Sequence, residues 1–314
     1  MMYLTILTTS LWACELSFRT DKIGARKMSI GERLRRLAFR VLIYASVVYV
    51  ILLVLLLFFE GSLLYPAPKF PHGNWEPDFA HQDLEFTAGD GVGLHGWLIP
   101  ASEALQRTPP RYVLYCHGNG ENVASAGNWT VPDIVNGLGA TVMVFDYRGY
   151  GKSEGSPHEA GIKLDAERAM DEFCDQMNIE SSEVILVGLS LGGGVATHLA
   201  ANKGCKALVL QKTFSSLPDV AASKYPIFPV QLLMQNRFDS VSAIKLYEGP
   251  LFQAHGDRDR VIPIRFGEKL YTNKPRNELD RFLHLEGFGH NDGFPATYWK
   301  TLDDWLSKIE SSSD

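Results

Sequence analysis

The chain has 314 residues, a formal net charge of −6, and 46% hydrophobic against 21% charged residues. That balance fits a globular protein with a sizeable core, in one large domain or two small ones, and argues against a basic nucleic-acid-binding surface. The 4 cysteines, Cys14, Cys116, Cys174 and Cys205, form no CxxC pair, and no His/Cys cluster has zinc spacing.

Residues 1–40 precede the first long apolar run. Met1 to Trp12 is mildly apolar but short. A compact basic stretch follows Met28 and makes a natural start to a signal anchor, so the working chain is expected to begin there. Val41 to Phe59 carries no charge. As a helix rising about 1.5 Å per residue it spans roughly 28 Å, close to the hydrocarbon thickness of a bilayer. Arg33, Arg35, Arg36 and Arg40 stand before it and Glu60 after it. The positive-inside rule then puts residues 1–40 in the cytoplasm and the bulk of the chain on the extracytoplasmic side. A cleaved signal peptide would have a shorter apolar region and a small-residue cleavage site. The expectation is a single-pass membrane protein with its anchor at 41–59.

Residues 60–82 are expected as an extended connector, since Pro66, Pro68, Pro71 and Pro77 punctuate them. The remaining residues, 83–314, alternate strand and helix signals. Short apolar runs fall at Leu84–Thr87, Leu94–Ile99, Tyr112–Cys116, Thr141–Phe145, Val184–Val187, Ala207–Leu210, Pro250–Ala254 and Arg281–Leu285. His158 to Met177 is amphipathic, with Ile162, Ala166, Ala169, Met170 and Phe173 at helical spacing. This alternation predicts an α/β fold, with a mostly parallel central sheet flanked by helices. Cys116 then reads as a small core residue; nothing in the sequence supports a Cys174–Cys205 bridge.

Gly188-Leu189-Ser190-Leu191-Gly192 follows one of these strands and opens a helix. A Gly-x-Ser-x-Gly there is a nucleophile elbow, in which the glycines permit a sharp bend that lifts the serine hydroxyl above the sheet. A serine hydroxyl needs a base to take its proton, an acid to orient that base, and backbone donors for the developing oxyanion. His290, in a glycine-bounded loop after the last strand, is the candidate base. His284 lies within a strand, His198 on the helix after the elbow, and His117 and His255 at strand ends; these read as packing or surface residues. Asp257 and Asp259 compete as the acid; Asp259 lies further into its loop, and Asp257 suits a turn-bracing role. The amide of Leu191 is one oxyanion donor. The second is expected from the loop after Cys116, with the Asn119 backbone N–H preferred over the glycines on either side.

With these pieces in place the chain resembles the α/β-hydrolase superfamily, and within it the membrane-anchored group similar to Bem46 and the mammalian α/β-hydrolase-domain proteins. The matching motifs are His117-Gly118-Asn119-Gly120, Asp146 to Gly155, the elbow at Ser190, His255 to Pro263, and Gly289-His290-Asn291. The resemblance implies Asp259 as the acid, and a site-shaping role for 146–155. It also implies a small cap near 213–240, a segment whose residues read equally well as an ordinary crossover with its helix packed on the sheet. The function so implied is a serine hydrolase acting on esters or thioesters, of a small-molecule or lipid substrate, with no metal or organic cofactor required. Two rivals share parts of the pattern: a serine peptidase of the same fold, and a non-catalytic membrane-tethered interaction module.

Three motifs are set aside. Gly91 to Gly96 fits GxGxxG by letter but runs into a strand and reads as a hairpin turn. Gly151-Lys152-Ser153 lacks the first glycine of a phosphate loop. Asn128-Trp129-Thr130 is a glycosylation sequon only where the host glycosylates that side of the membrane.

Overall fold

The computed structural model describes residues 29–312. The proposed start at Met28, residues 1–27 and Cys14 lie outside the described residues. The chain divides into two units, one ending at Leu55 and one running from Leu56 to Asp314.

The first helix, α1, covers Ile30–Phe58, so the apolar run sits inside a longer helix that also takes in the basic stretch. Ser29 and Glu32 start it reciprocally. The Glu32 amide donates to Ser29 Oγ at 3.2 Å, and the Ser29 amide donates to Glu32 Oε2 at 2.8 Å. None of its residues is buried. Among the described residues it is the one helix long and apolar enough to cross a membrane, with mean hydropathy 3.0.

The larger unit begins with a short helix, α2 (Glu60–Leu64). The rest of the expected connector has no helix or long strand, yet it lies against the domain instead of running free. Tyr65 is buried, and Lys69 forms a parallel bridge with Gly151. Eight strands follow: β1 (Gln82–Thr87), β2 (Gly93–Ile99), β3 (Arg111–Cys116), β4 (Ala140–Phe145), β5 (Val184–Leu189), β6 (Ala207–Gln211), β7 (Leu251–Gly256) and β8 (Arg281–Leu285). They form one sheet in the order β1-β2-β4-β3-β5-β6-β7-β8. β2 pairs antiparallel with both its neighbours, and every other pairing is parallel. Each predicted apolar run thus lies on a strand.

Strand residues alternate between two cores. Leu114, Cys116, Phe145 and Leu186 pack on one face, with α4 (Glu159–Met177) and α5 (Leu191–Lys203). Val113, Tyr115, Val144 and Val187 pack on the other, with α3 (Val123–Leu138) and α10 (Ala296–Ser311). Burial on both faces is why these strands read as unbroken apolar runs. Between β6 and β7 the chain makes three short helices, α6 (Leu217–Lys224), α7 (Val230–Leu233) and α8 (Ser240–Ile244). They occupy the segment where a small cap is expected. Helix α9 (Ile264–Asn273) then leads to β8. Cys116, Cys174 and Cys205 are all free thiols.

Buried Arg111 fastens the C-terminal helix to β3. Its guanidinium donates to Glu310 Oε1 at 2.8 Å, Asp303 Oδ1 at 2.5 Å, Ser307 Oγ at 3.0 Å and the Leu138 carbonyl at 3.1 Å. Removing one partner of such a pair strands the others in a poorly solvated place. Arg111→Met is therefore expected to lower the unfolding free energy by about 3 kcal/mol. Urea denaturation of the detergent-solubilised chain, with an unchanged slope, checks this.

Candidate active site

Ser190 lies between β5 and α5, at the carboxyl edge of the sheet. Its backbone has φ 53° and ψ −112°, a left-handed conformation costly for a residue with a Cβ. The surroundings hold it there. The Ser190 amide donates to the Gln211 carbonyl at 2.9 Å, and the Ser190 carbonyl accepts from Thr213 Oγ1 at 2.7 Å and from the Gly193 amide at 3.0 Å. The bend needs its glycines for space. A Cβ on Gly188 would overlap the Gly192 carbonyl, and one on Gly192 would overlap the Cys116 carbonyl.

His290 and Asp259 come to the same edge from the loops after β8 and β7. His290 Nδ1 lies 2.7 Å from Asp259 Oδ2, and His290 Nε2 lies 3.1 Å from Ser190 Oγ. A carboxylate only accepts, so the Nδ1 proton is assigned to the Asp259 bond. Nε2 is then free to accept from the serine hydroxyl. The structure brings Ser190, His290 and Asp259 together in that order, although 100 residues separate the serine from the histidine.

Asp259 is held from several sides. Its Oδ1 accepts from the amides of Val261 at 2.8 Å and Ile262 at 2.7 Å. Buried His255 donates from Nε2 to the Ile262 carbonyl at 2.8 Å and stands 3.4 Å from Asp259 Oδ2. Burial alone would raise the Asp259 pKa. Hydrogen bonds from His255 and His290, the charge interaction with His290 and the Ile262 amide outweigh it and hold the carboxyl well below the usual range. Asp257 bonds elsewhere, to the neighbouring loop and not to its own turn. Its Oδ1 accepts from the Gly287 amide at 2.7 Å, across the turn before His290. The Arg258 amide adds a bond to the Phe288 carbonyl at 3.0 Å, so the two loops are tied together.

The candidate oxyanion donors lie in the predicted loops. The Gly118 amide donates to Glu121 Oε2 at 2.8 Å and is therefore occupied. Among the described residues the N–H groups of Asn119 and Leu191 have no hydrogen-bond partner. The Asn119 side chain donates to the Leu64 carbonyl at 3.1 Å. The 146–155 loop braces this neighbourhood. Buried Asp146 accepts from the Val123 amide at the start of α3 at 2.8 Å, and Tyr147 donates to the His117 carbonyl at 2.8 Å. His117 itself is buried and packs 4.1 Å from the Tyr147 ring, centroid to centroid. His198 meets Glu167 of α4 at 2.8 Å, and His284 is exposed on β8. The sequon residue Asn128 donates its side-chain amide to the carbonyls of Ala124 at 2.6 Å and Asn74 at 2.8 Å.

Sequence reasoning missed Lys212. This residue follows β6, is 1% exposed and has φ 49°. Its ammonium donates to the His290 carbonyl at 3.0 Å and to the Asp292 carbonyl, and lies 4.6 Å over the Phe294 ring. Burial pulls its pKa down, opposed by the charges of Asp292 and Asp259. Its backbone amide binds the Ala254 carbonyl at 2.9 Å. The loop carrying His290 is thus pinned from beneath by a buried cation.

A profile of the alpha/beta hydrolase fold family matches residues 111–239. The uncharacterized protein YfhR of Escherichia coli K12 is 30% identical over 275 residues, which cover 85% of this chain and 91% of YfhR. The protein bem46 of Schizosaccharomyces pombe is 29% identical over 223 residues, covering 65% of this chain and 71% of its own. An esterase of Pyrococcus furiosus has the same fold, with TM-score 0.61 and 20% identity over 77% of this chain and 97% of the esterase.

The lowered Asp259 pKa carries a pH prediction. A group whose pKa falls on folding stabilises the fold fully above its unfolded value, and that contribution is lost as pH drops through the folded value. The stability gap between wild type and Asp259→Asn is expected to stay constant above about pH 5 and to shrink steadily below about pH 4. Urea titrations across this range check it.

Proposed function

The chain belongs to the α/β-hydrolase family, in its Bem46-like group, and from that premise we propose that it is a membrane-anchored serine hydrolase cleaving carboxylic ester or thioester bonds. The observation that carries this reading is the run of contacts from Asp259 through His290 to Ser190. A lone serine in a tight turn has no base. This one has an imidazole nitrogen at bonding distance, and that imidazole has a buried carboxylate behind it.

In the proposed reaction Ser190 Oγ attacks the acyl carbonyl while His290 Nε2 takes its proton. Asp259 keeps the imidazole oriented and stabilises its charged form. The N–H groups of Leu191 and Asn119 receive the oxyanion, as two donors without internal partners at the edge where it forms. His290 then protonates the leaving alcohol or thiol. Water, activated by the same imidazole, releases the acyl group from Ser190. Each step uses groups of this chain, with no metal or organic cofactor.

The anchor in this reading is α1, with the arginine-rich end in the cytoplasm and the hydrolase domain across the membrane. Its length and exposed apolar surface support that assignment. Lipid or acylated substrates suit an enzyme held at a bilayer.

Ser190→Ala is expected to lower turnover of a chromogenic ester on the order of a millionfold, since triad residues act as a unit. A fluorophosphonate probe should label the wild type and spare this variant; equal labelling contradicts the role given to Ser190. Lys212→Met acts through the placement of His290, so kcat should fall about a hundredfold with KM little changed. Steady-state kinetics separates the two parameters, and an unaltered kcat would remove Lys212 from the positioning apparatus.

A further inference from the structure

The apolar run ends at Phe59, and the next residue is fastened to the cap. Glu60 is buried, and its carboxylate accepts from the amide of Gln235 at 3.1 Å, the amide of Asn236 at 2.8 Å and the Asn236 side chain at 2.9 Å. The Tyr65 hydroxyl adds a bond to Asn236 Oδ1 at 2.9 Å. The bond from Asn119 to the Leu64 carbonyl ties the loop after β3 to the same short helix. Whatever the tilt of α1, residues 234–236 of the cap therefore sit directly at the point where the chain leaves the apolar run.

Those residues follow α7, whose outward surface is apolar. Val230 and Met234 turn inward, each 8% exposed, while Leu232 is 83% and Leu233 38% exposed. Ile227, just before the helix, is 71% exposed, and Leu63 of α2 is 61% exposed. Within this four-residue helix Gln231 is the exposed polar residue, and exposed Lys224, Gln235 and Arg237 flank it in the chain. Leu232 stands three residues from Gln235, a chain reach of about 10 Å. The headgroup layer is about 5–7 Å deep on each side of the hydrocarbon. Amphipathic segments sink about 5–10 Å into that boundary. The cap face is thus within reach of lipid through covalent connection and the Glu60 bonds alone.

We propose that the outward face of the cap, formed by Ile227, Leu232 and Leu233 with Leu63 of α2, is a second membrane contact that lies in the interfacial layer of the bilayer. It rests on the reading of α1 as a membrane anchor. The partner is a lipid surface, on the same edge of the domain as the candidate oxyanion loop.

The test uses the full chain in phosphatidylcholine liposomes. Leu232→Cys is made with Cys14, Cys174 and Cys205 replaced by serine, leaving buried Cys116, and is labelled with a nitrobenzoxadiazole fluorophore. Ile227→Cys serves as a second position. Lys300→Cys, on α10 with a side chain 76% exposed, is the comparison. Lipids brominated in the acyl chain should quench the label at 232 and 227 at least about twofold and leave the label at 300 bright, as expected for interfacial burial. Flotation of the liposomes separates the two readings. A chain that does not float overturns the anchor and this proposal with it. A chain that floats with unquenched labels at 232 and 227, or with equal quenching at 300, overturns this proposal alone.

Discussion

A serine held in left-handed backbone is the constraint on which the site depends. At φ 53° Ser190 occupies a conformation that a side-chain-bearing residue leaves unless its neighbours forbid it. Here Gln211 takes its amide, Thr213 and Gly193 donate to its carbonyl, and the adjoining glycines let α5 start almost against β3. The strain of one residue is held by the sheet order, since β3, β5 and β6 must be adjacent for those groups to meet. Parallel strands then bring the loops after β7 and β8 to the same edge.

Charge arranges the rest. Asp259 is a buried carboxylate with two amides on one oxygen and two imidazoles near the other. Such a charge is tolerable only because it is so completely bonded. Lys212 is its counterpart on the far side of the His290 loop, a buried cation that meets carbonyl dipoles instead of an acid. The proposed base is therefore positioned from both ends, its ring by Asp259 and its backbone by Lys212. Glu60 uses similar chemistry on the cap, where a carboxylate draws in backbone amides that the short helices leave open.

Much of this could be read in the sequence where the signal was local. Burial on both faces makes each strand a continuous apolar run, so all eight strands were legible to within a few residues. Ser190 was legible because glycines flank it, and His290 because a glycine-bounded loop follows the last strand. Asp259 and Asp257 could be ranked by their distance into the loop and by the family resemblance; their different partners in space, His290 and Gly287, could not be read. Lys212 was illegible, since a lysine after a strand looks like a surface residue and its burial depends on a loop about 80 positions later. The docking of Glu60 was hidden for the same reason, with its partners 175 and 176 residues away. Proline spacing predicted an extended connector over 60–82, and could not say that this backbone lies against the domain.

The central claim is that Ser190 becomes covalently acylated with His290 as its base. Rapid acid quenching of the enzyme with an activated ester, followed by intact-mass and peptide mass spectrometry, tests this directly. The account predicts one acyl group per chain, carried on Ser190 and absent when His290 is replaced by alanine. Turnover of the ester with no adduct on Ser190, or an adduct on a different residue, would contradict it.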